Sequence, residues 1–203
     1  MLLAHAKRAG HEAFVLTGGG TGLIGDPSGK SAERQLQTPE RVEANVAAQR
    51  PIFENVLGQV DGPAHRIVNN ADWLTKLSFI EVLRDVGKHF SVNMMVQKDS
   101  VKSRLNDREQ GISYTEFSYM ILQAYDFLYL NRELGVTAQC GGSDQYGNIV
   151  AGTDLIRRDA FVHDAEATVF GFTAPLVTKA DGGKFGKTES GAIWLTAART
   201  SPY

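Results

Sequence analysis

The chain has 203 residues, 42% of them hydrophobic and 22% charged, which is the make-up of one α/β domain with room for a small insertion. Lys+Arg 21 against Asp+Glu 23 leaves a net charge of −2, so no global basic field marks the chain for nucleic acid, although a local patch is enough to bind RNA. The single cysteine, Cys140, excludes an internal disulfide framework and a cysteine-based zinc site.

Leu2-Leu3-Ala4 opens apolar, but His5, Lys7 and Arg8 interrupt at once, which is neither a secretory segment nor a membrane span. The chain reads as cytoplasmic. Leu2 to Ala9 predicts the end of a helix, with Gly10 as its stop. Ala13 to Thr17 predicts a buried strand feeding the glycine-rich turn Gly18 to Gly22. Thr38-Pro39-Glu40 starts the next helix, with Thr38 as N-cap, and it runs to about Leu57. His65 to Asn69 is a second strand.

From Ser78 to Phe90 and from Val92 to Leu105 the spacing is helical. This block contributes no strand and reads as an insertion between two halves. Ser113-Tyr114-Thr115-Glu116 is a capping box that opens a long helix to about Leu134. Val136 to Cys140 predicts a third strand ending at Gly141-Gly142, and Ser143 a cap for a helix to about Arg158. Thr168 to Val177 is partly extended, and Thr178 to Thr188 is a loop rich in glycine and lysine. Strands alternating with helices predict a doubly wound parallel sheet.

Four segments carry candidate chemistry. Gly20-Thr21-Gly22-Leu23-Ile24-Gly25 matches the dinucleotide fingerprint. Asp26-Pro27-Ser28-Gly29 then breaks the chain where that motif needs a helix, so NAD binding is rejected. A phosphate-loop NTPase fails by one residue, because Gly25 stands four positions before Gly29-Lys30-Ser31 instead of five. What remains is a loop that can approach a ligand closely, with Asp26, Lys30 and Arg34 behind it; an ordinary tight turn with solvated charges is the alternative. Tyr119, Gln123 and Asp126, at offsets of four and seven, share one helix face and could hold a small polar ligand, or could be a wet surface. Gly141 to Gln145 lies at the carboxyl end of a strand, where open α/β sheets bind ligands; a capped helix with Asp144 in its first turn is the plain alternative. Lys184 and Lys187 sit among glycines in a loop that could close over phosphates.

In order, spacing and wording these segments resemble the bacterial-type tyrosyl-tRNA synthetases, a class I aminoacyl-tRNA synthetase family. The likeness runs through Thr21 to Lys30, Leu83 to Asn93, Gly111 to Ser113, Thr115 to Tyr119, Leu122 to Asp126 and Gly141 to Gln145, and Lys184-Phe185-Gly186-Lys187-Thr188 resembles this family's form of the KMSKS signature. The resemblance implies a Rossmann-like catalytic domain over residues 1–203, with a helical dimer-forming insertion at about 86–110. It implies ATP-dependent activation of L-tyrosine to tyrosyl-adenylate, then transfer to tRNA(Tyr), with Mg2+ on the ATP phosphates and no metal held by the protein itself.

By the same resemblance, Asp26, Tyr119 and Gln123 hold the substrate amino group, Asp126 takes the phenol hydroxyl, and Gln145 lies beside the amino acid. Gly142 and Asp144 match adenosine-binding positions. Lys30 and Arg34 steady pyrophosphate, and Lys184, Lys187 and Thr188 meet the phosphates in the transition state. The HIGH signature of the family is not found here, nor is the anticodon-binding domain, so the expectation is an N-terminally truncated catalytic domain with impaired adenylate formation, marginally stable, and homodimeric if it folds. Tryptophanyl-tRNA synthetase is the neighbouring enzyme, and an inactive RNA-binding or scaffold protein is the reading from another class.

Overall fold

A computed structural model describes residues 1–24, 36–98, 101, 102, 105, 112–178 and 195. Helix α1 (Leu2–Arg8) ends at Ala9, and Gly10 follows at φ 90, a backbone angle that favours glycine. Strand β1 (Ala13–Thr17) alternates buried and half-buried residues and pairs in parallel with β2 (His65–Asn69), Val15 standing opposite Ile67. Parallel strands need a long crossover, and α3 (Pro39–Gly58) supplies it. Its start is the one predicted, with the Thr38 hydroxyl accepting the Arg41 N–H and Pro39 at the first helical position.

The predicted glycine-rich turn is instead a short helix, α2 (Gly19–Ile24), opening one residue after β1 leaves the sheet. Helix α4 (Ala71–Leu74) follows β2 in the same way. The helical block after it is irregular. A reciprocal Ser78–Glu81 capping box starts α5 (Phe79–Glu81), the backbone widens into a π turn over Val82–Val86 and tightens to a 3₁₀ turn over Gly87–His89, and α6 (Val92–Gln97) closes the segment.

Helix α7 (Tyr114–Leu134) is capped by the Ser113 hydroxyl on the Glu116 N–H at 3.2 Å, and it stops at Gly135 with φ 66. Strand β3 (Ala138–Gly142) lies two residues later than expected, so Gly141 and Gly142 belong to the strand and do not follow it. Ser143 does not cap a helix: Ser143–Gln145 is a 3₁₀ turn, and α8 (Tyr146–Val162) begins behind it. Strand β4 (Phe170–Ala174) pairs in parallel with β3. Among the described residues the strands form two parallel pairs, β1–β2 and β3–β4, the parallel α/β class expected from sequence.

The main core lies between α7 and α8. Ala124 and Phe127 are fully buried, and Leu155 and Ile156 are 1% exposed. Gly152 lets the helices meet closely, since a Cβ there would stand 3.0 Å from the Phe127 ring. Burying Phe127, Leu155 and Ile156 contributes roughly 1.5–3 kcal/mol each. A second cluster (Ala4, Val15, Leu57, Val60) holds α1 and α3 against β1. A third joins Met95 of α6 and Val101 to Met120 of α7. Helix α7 thus packs against α8 and the irregular segment, and it also meets α2.

Candidate active site

Asp126 sits three-fifths of the way along α7 and is 2% exposed. A carboxylate so placed needs donors, and two converge on it. The Trp73 indole donates Nε1–H to Oδ1 at 2.8 Å, and the Asn70 amide donates Nδ2–H to Oδ2 at 2.9 Å. Each carboxylate oxygen accepts one of these bonds and keeps a further lone-pair direction, so the group can accept another donor.

Asn70 is itself 1% exposed. Its Oδ1 accepts the N–H groups of Gly20 at 2.7 Å and Thr21 at 3.4 Å, and its amide also donates to Thr21 Oγ1 at 3.0 Å. With two backbone donors facing its oxygen, the amide can be oriented only one way, nitrogen toward Asp126. The ring of Trp73 stacks on Tyr129, centroids 4.4 Å apart and 14° between planes, which fixes the direction of the indole N–H.

This arrangement explains Gly19 of α2. A Cβ at Gly19 would come within 2.2 Å of Asn69 Oδ1, which accepts the Gly19 N–H at 3.0 Å. Gly19 therefore serves the close approach of Asn69 from the end of β2, while Gly22 leaves room for Val42 of α3.

A second set lies one turn earlier on α7. Gln123 Nε2 donates to Gln145 Oε1 at 3.2 Å, Asn148 Nδ2 donates to the same oxygen at 3.2 Å, and Gln145 Nε2 donates to Asp144 Oδ2 at 3.3 Å. Gly142 closes this set, since a Cβ there would meet Asp144 Oδ1 at 2.6 Å. Tyr119 is half-buried on the same helix, one turn before Gln123. Of the residues singled out from sequence, Tyr119, Gln123 and Asp126 lie on α7, Gly142 at the end of β3, and Asp144 and Gln145 in the 3₁₀ turn before α8. Asp26, Lys30, Arg34, Lys184, Lys187 and Thr188 lie outside the described residues. Asn69, Asn70, Trp73, Thr21 and Asn148 were missed. The readable signal was Asn69-Asn70-Ala71-Asp72-Trp73 at the carboxyl end of β2, where polar side chains face the site in an open α/β sheet.

Burial pushes the Asp126 carboxyl up to about 6, against the hydrogen bonds from Asn70 and Trp73 that pull it down. Two opposite pH trends follow. In the folded chain the carboxyl holds its proton to a higher pH than when unfolded, so its contribution to stability is full below about 4 and is lost as pH rises through about 6. A donor-seeking ligand needs the ionised form, so its affinity rises over the same window and is about tenfold weaker at pH 5 than at pH 7.5. Urea unfolding and calorimetric titration across pH 4.5–8, each compared with Asp126→Asn, measure both trends; parallel slopes would show that Asp126 does not govern them.

The description tRNA synthetases class I (W and Y) matches residues 1–203. The chain is 55% identical over its whole length to a tyrosine–tRNA ligase of Chromobacterium violaceum and 54% identical to one of Staphylococcus carnosus, spanning 47% of each. Among solved structures, it superposes on a C-terminally truncated mitochondrial tyrosyl-tRNA synthetase of Coccidioides posadasii with a TM-score of 0.79 at 32% identity, covering 98% of this chain and 57% of that one. The chain thus spans about half the length of the curated relatives it matches. With its whole length inside that match, the chain belongs to the class I tRNA synthetases of the tryptophan and tyrosine family.

Proposed function

We propose that this chain carries the amino-acid site of a tyrosine–tRNA ligase, which converts L-tyrosine and ATP to tyrosyl-adenylate and pyrophosphate and then passes the tyrosyl group to tRNA(Tyr), releasing AMP. The observation that carries the reading is the buried Asp126 carboxylate, held by Trp73 and Asn70 with acceptor capacity to spare. A phenol hydroxyl is the donor that suits it, and phenylalanine would leave the carboxylate without that partner in a dry site. The names of the relatives favour tyrosine over the tryptophan branch of the family.

Asp126 takes the phenol, Tyr119, Gln123 and Asp26 the ammonium, and Gln145 lies beside the amino acid, while Gly142 and Asp144 meet the adenosine. No side chain has to form a covalent bond, because the substrate carboxylate attacks the α-phosphate itself. Catalysis is then positioning plus donors aimed at developing charge, the task assigned to the cations Lys30, Arg34, Lys184 and Lys187 and to the Thr188 hydroxyl. Mg2+ belongs with the ATP phosphates as part of that substrate. Among the described residues no helix is long and apolar enough to cross a membrane, in keeping with work on tRNA in the cytoplasm. The insertion at about 86–110 is assigned to a homodimer contact, supported by the exposed Val92 and Met94 within it and Phe79, Ile80 and Leu83 just before it.

The test is calorimetry with tyrosine, phenylalanine and tryptophan on the purified chain. Tyrosine is expected to bind more than tenfold more tightly than phenylalanine. Equal affinity for the two, or preference for tryptophan, would sink the assignment.

A further inference from the structure

The irregular segment from Val82 to Lys98 touches α8 at two separated points. The Arg158 guanidinium donates to the His89 carbonyl, and the Lys98 ammonium donates to the Gly147 carbonyl at 3.1 Å. These anchors are eleven residues apart on α8, roughly three turns. Between them the segment does not pack flush: a cavity of about 40 Å³ remains, walled by Met94, Met95, Met120 and Leu155 and rimmed by Lys98 and Arg158. On the side facing the segment, the near end of α8 is therefore tied by Lys98 across a gap, while the buried Ile149 packs its other side.

That near end carries the site. Gly147 stands two residues after Gln145, whose side chain is gripped by Gln123 from α7 and by Asn148 from the same first turn. The 3₁₀ turn at Ser143–Gln145 has no side-chain cap, so α8 begins without the usual local lock. Lys98 is half-buried. Loss of water pushes its ammonium below the ordinary lysine range, with Asp154 opposing. A cation held in that position is kept there by the Gly147 carbonyl it binds, with the Asp154 charge favouring it through space.

We propose that Lys98 is a positioning residue for the substrate site: by holding the Gly147 carbonyl it fixes the first turn of α8, and with it the placement of Gln145 and Asp144. The proposal rests on the tyrosine-binding reading for its ligand, but its mechanical half can be read without any ligand.

The test compares the 203-residue chain with Lys98→Met, which keeps the apolar stem and removes the charge, and Lys98→Arg, which can still donate to the carbonyl. Amide hydrogen exchange at Val150 and Ala151 reports the first turn of α8, and calorimetry reports tyrosine. The expected result is about tenfold faster exchange at those amides and about fivefold weaker tyrosine binding in Lys98→Met, both largely restored in Lys98→Arg. Exchange unchanged in Lys98→Met overturns the proposal. So does faster exchange with unaltered tyrosine affinity, which would make Lys98 a strut without a role in the site. If the parent chain binds no tyrosine, the proposed function falls, while the exchange comparison still decides whether Lys98 holds the turn.

Discussion

Asp126→Asn is expected to weaken tyrosine binding by about a hundredfold while leaving the fold intact, within roughly 1 kcal/mol of the parent at pH 8. The two halves of this expectation have different origins. For binding, the substitution removes the charge that a phenol donates to, and a hydrogen bond to a charged group is worth about 1.5–3 kcal/mol. It also turns an NH₂ toward either Asn70 Nδ2 or Trp73 Nε1, so one of the two present donors faces another donor. For stability, the loss of those contacts is offset because an ionised carboxylate no longer has to be kept out of water, the cost that lifts this group to about 6. Urea unfolding and tyrosine titration of the same preparation separate the two. A variant that folds and binds tyrosine as the parent does would remove Asp126 from the site.

The elements with local signals were legible from sequence. Thr38-Pro39 and Ser113 with Glu116 mark helix starts through contacts within three residues, and both helices begin there. His65–Asn69 was read correctly because its apolar run is bounded by turns on both sides. The misreadings share a cause, tertiary contact overriding local preference. Glycine disfavours helix in isolation, yet Gly19–Ile24 is helical because the Asn69 and Asn70 side chains accept its first N–H groups, with Gly19 leaving room for Asn69. Strand β3 extends to Gly142 because it lies in register with β4, Gly142 opposite Ala174, a pairing with a segment about thirty residues away in sequence.

The site was legible where its residues share one helix. The offsets of Tyr119, Gln123 and Asp126 place them on a face of α7 whatever the rest of the chain does. Its partners were not legible, because Asn70 and Trp73 reach Asp126 from more than fifty residues away and look, in sequence, like the polar end of a strand. Burial separates the wet-face reading of α7 from the ligand reading: an Asp at 2% exposure, with both oxygens engaged by donors from another element, is not a solvated surface group.

Asn70 carries the second large effect, because one amide joins two elements. Asn70→Ala leaves the Gly20 and Thr21 N–H groups and one Asp126 oxygen without their present partner, and is expected to cost about 3–4 kcal/mol of stability together with most of the tyrosine affinity. Asn70→Asp separates the two roles. Its carboxylate can still accept from Gly20 and Thr21, so α2 stays tied to β2, but it sets a second acid against Asp126 where the amide had donated at 2.9 Å. Two carboxyls at that spacing share a proton, so the pH at which tyrosine binding sets in moves above the parent's value near 6. Stability near pH 6 then falls much less than in Asn70→Ala. Titrating tyrosine from pH 5 to 9 reads the shift directly. An unchanged midpoint in Asn70→Asp would mean that Asn70 supports α2 alone and that Trp73 suffices to hold Asp126 ready for its ligand.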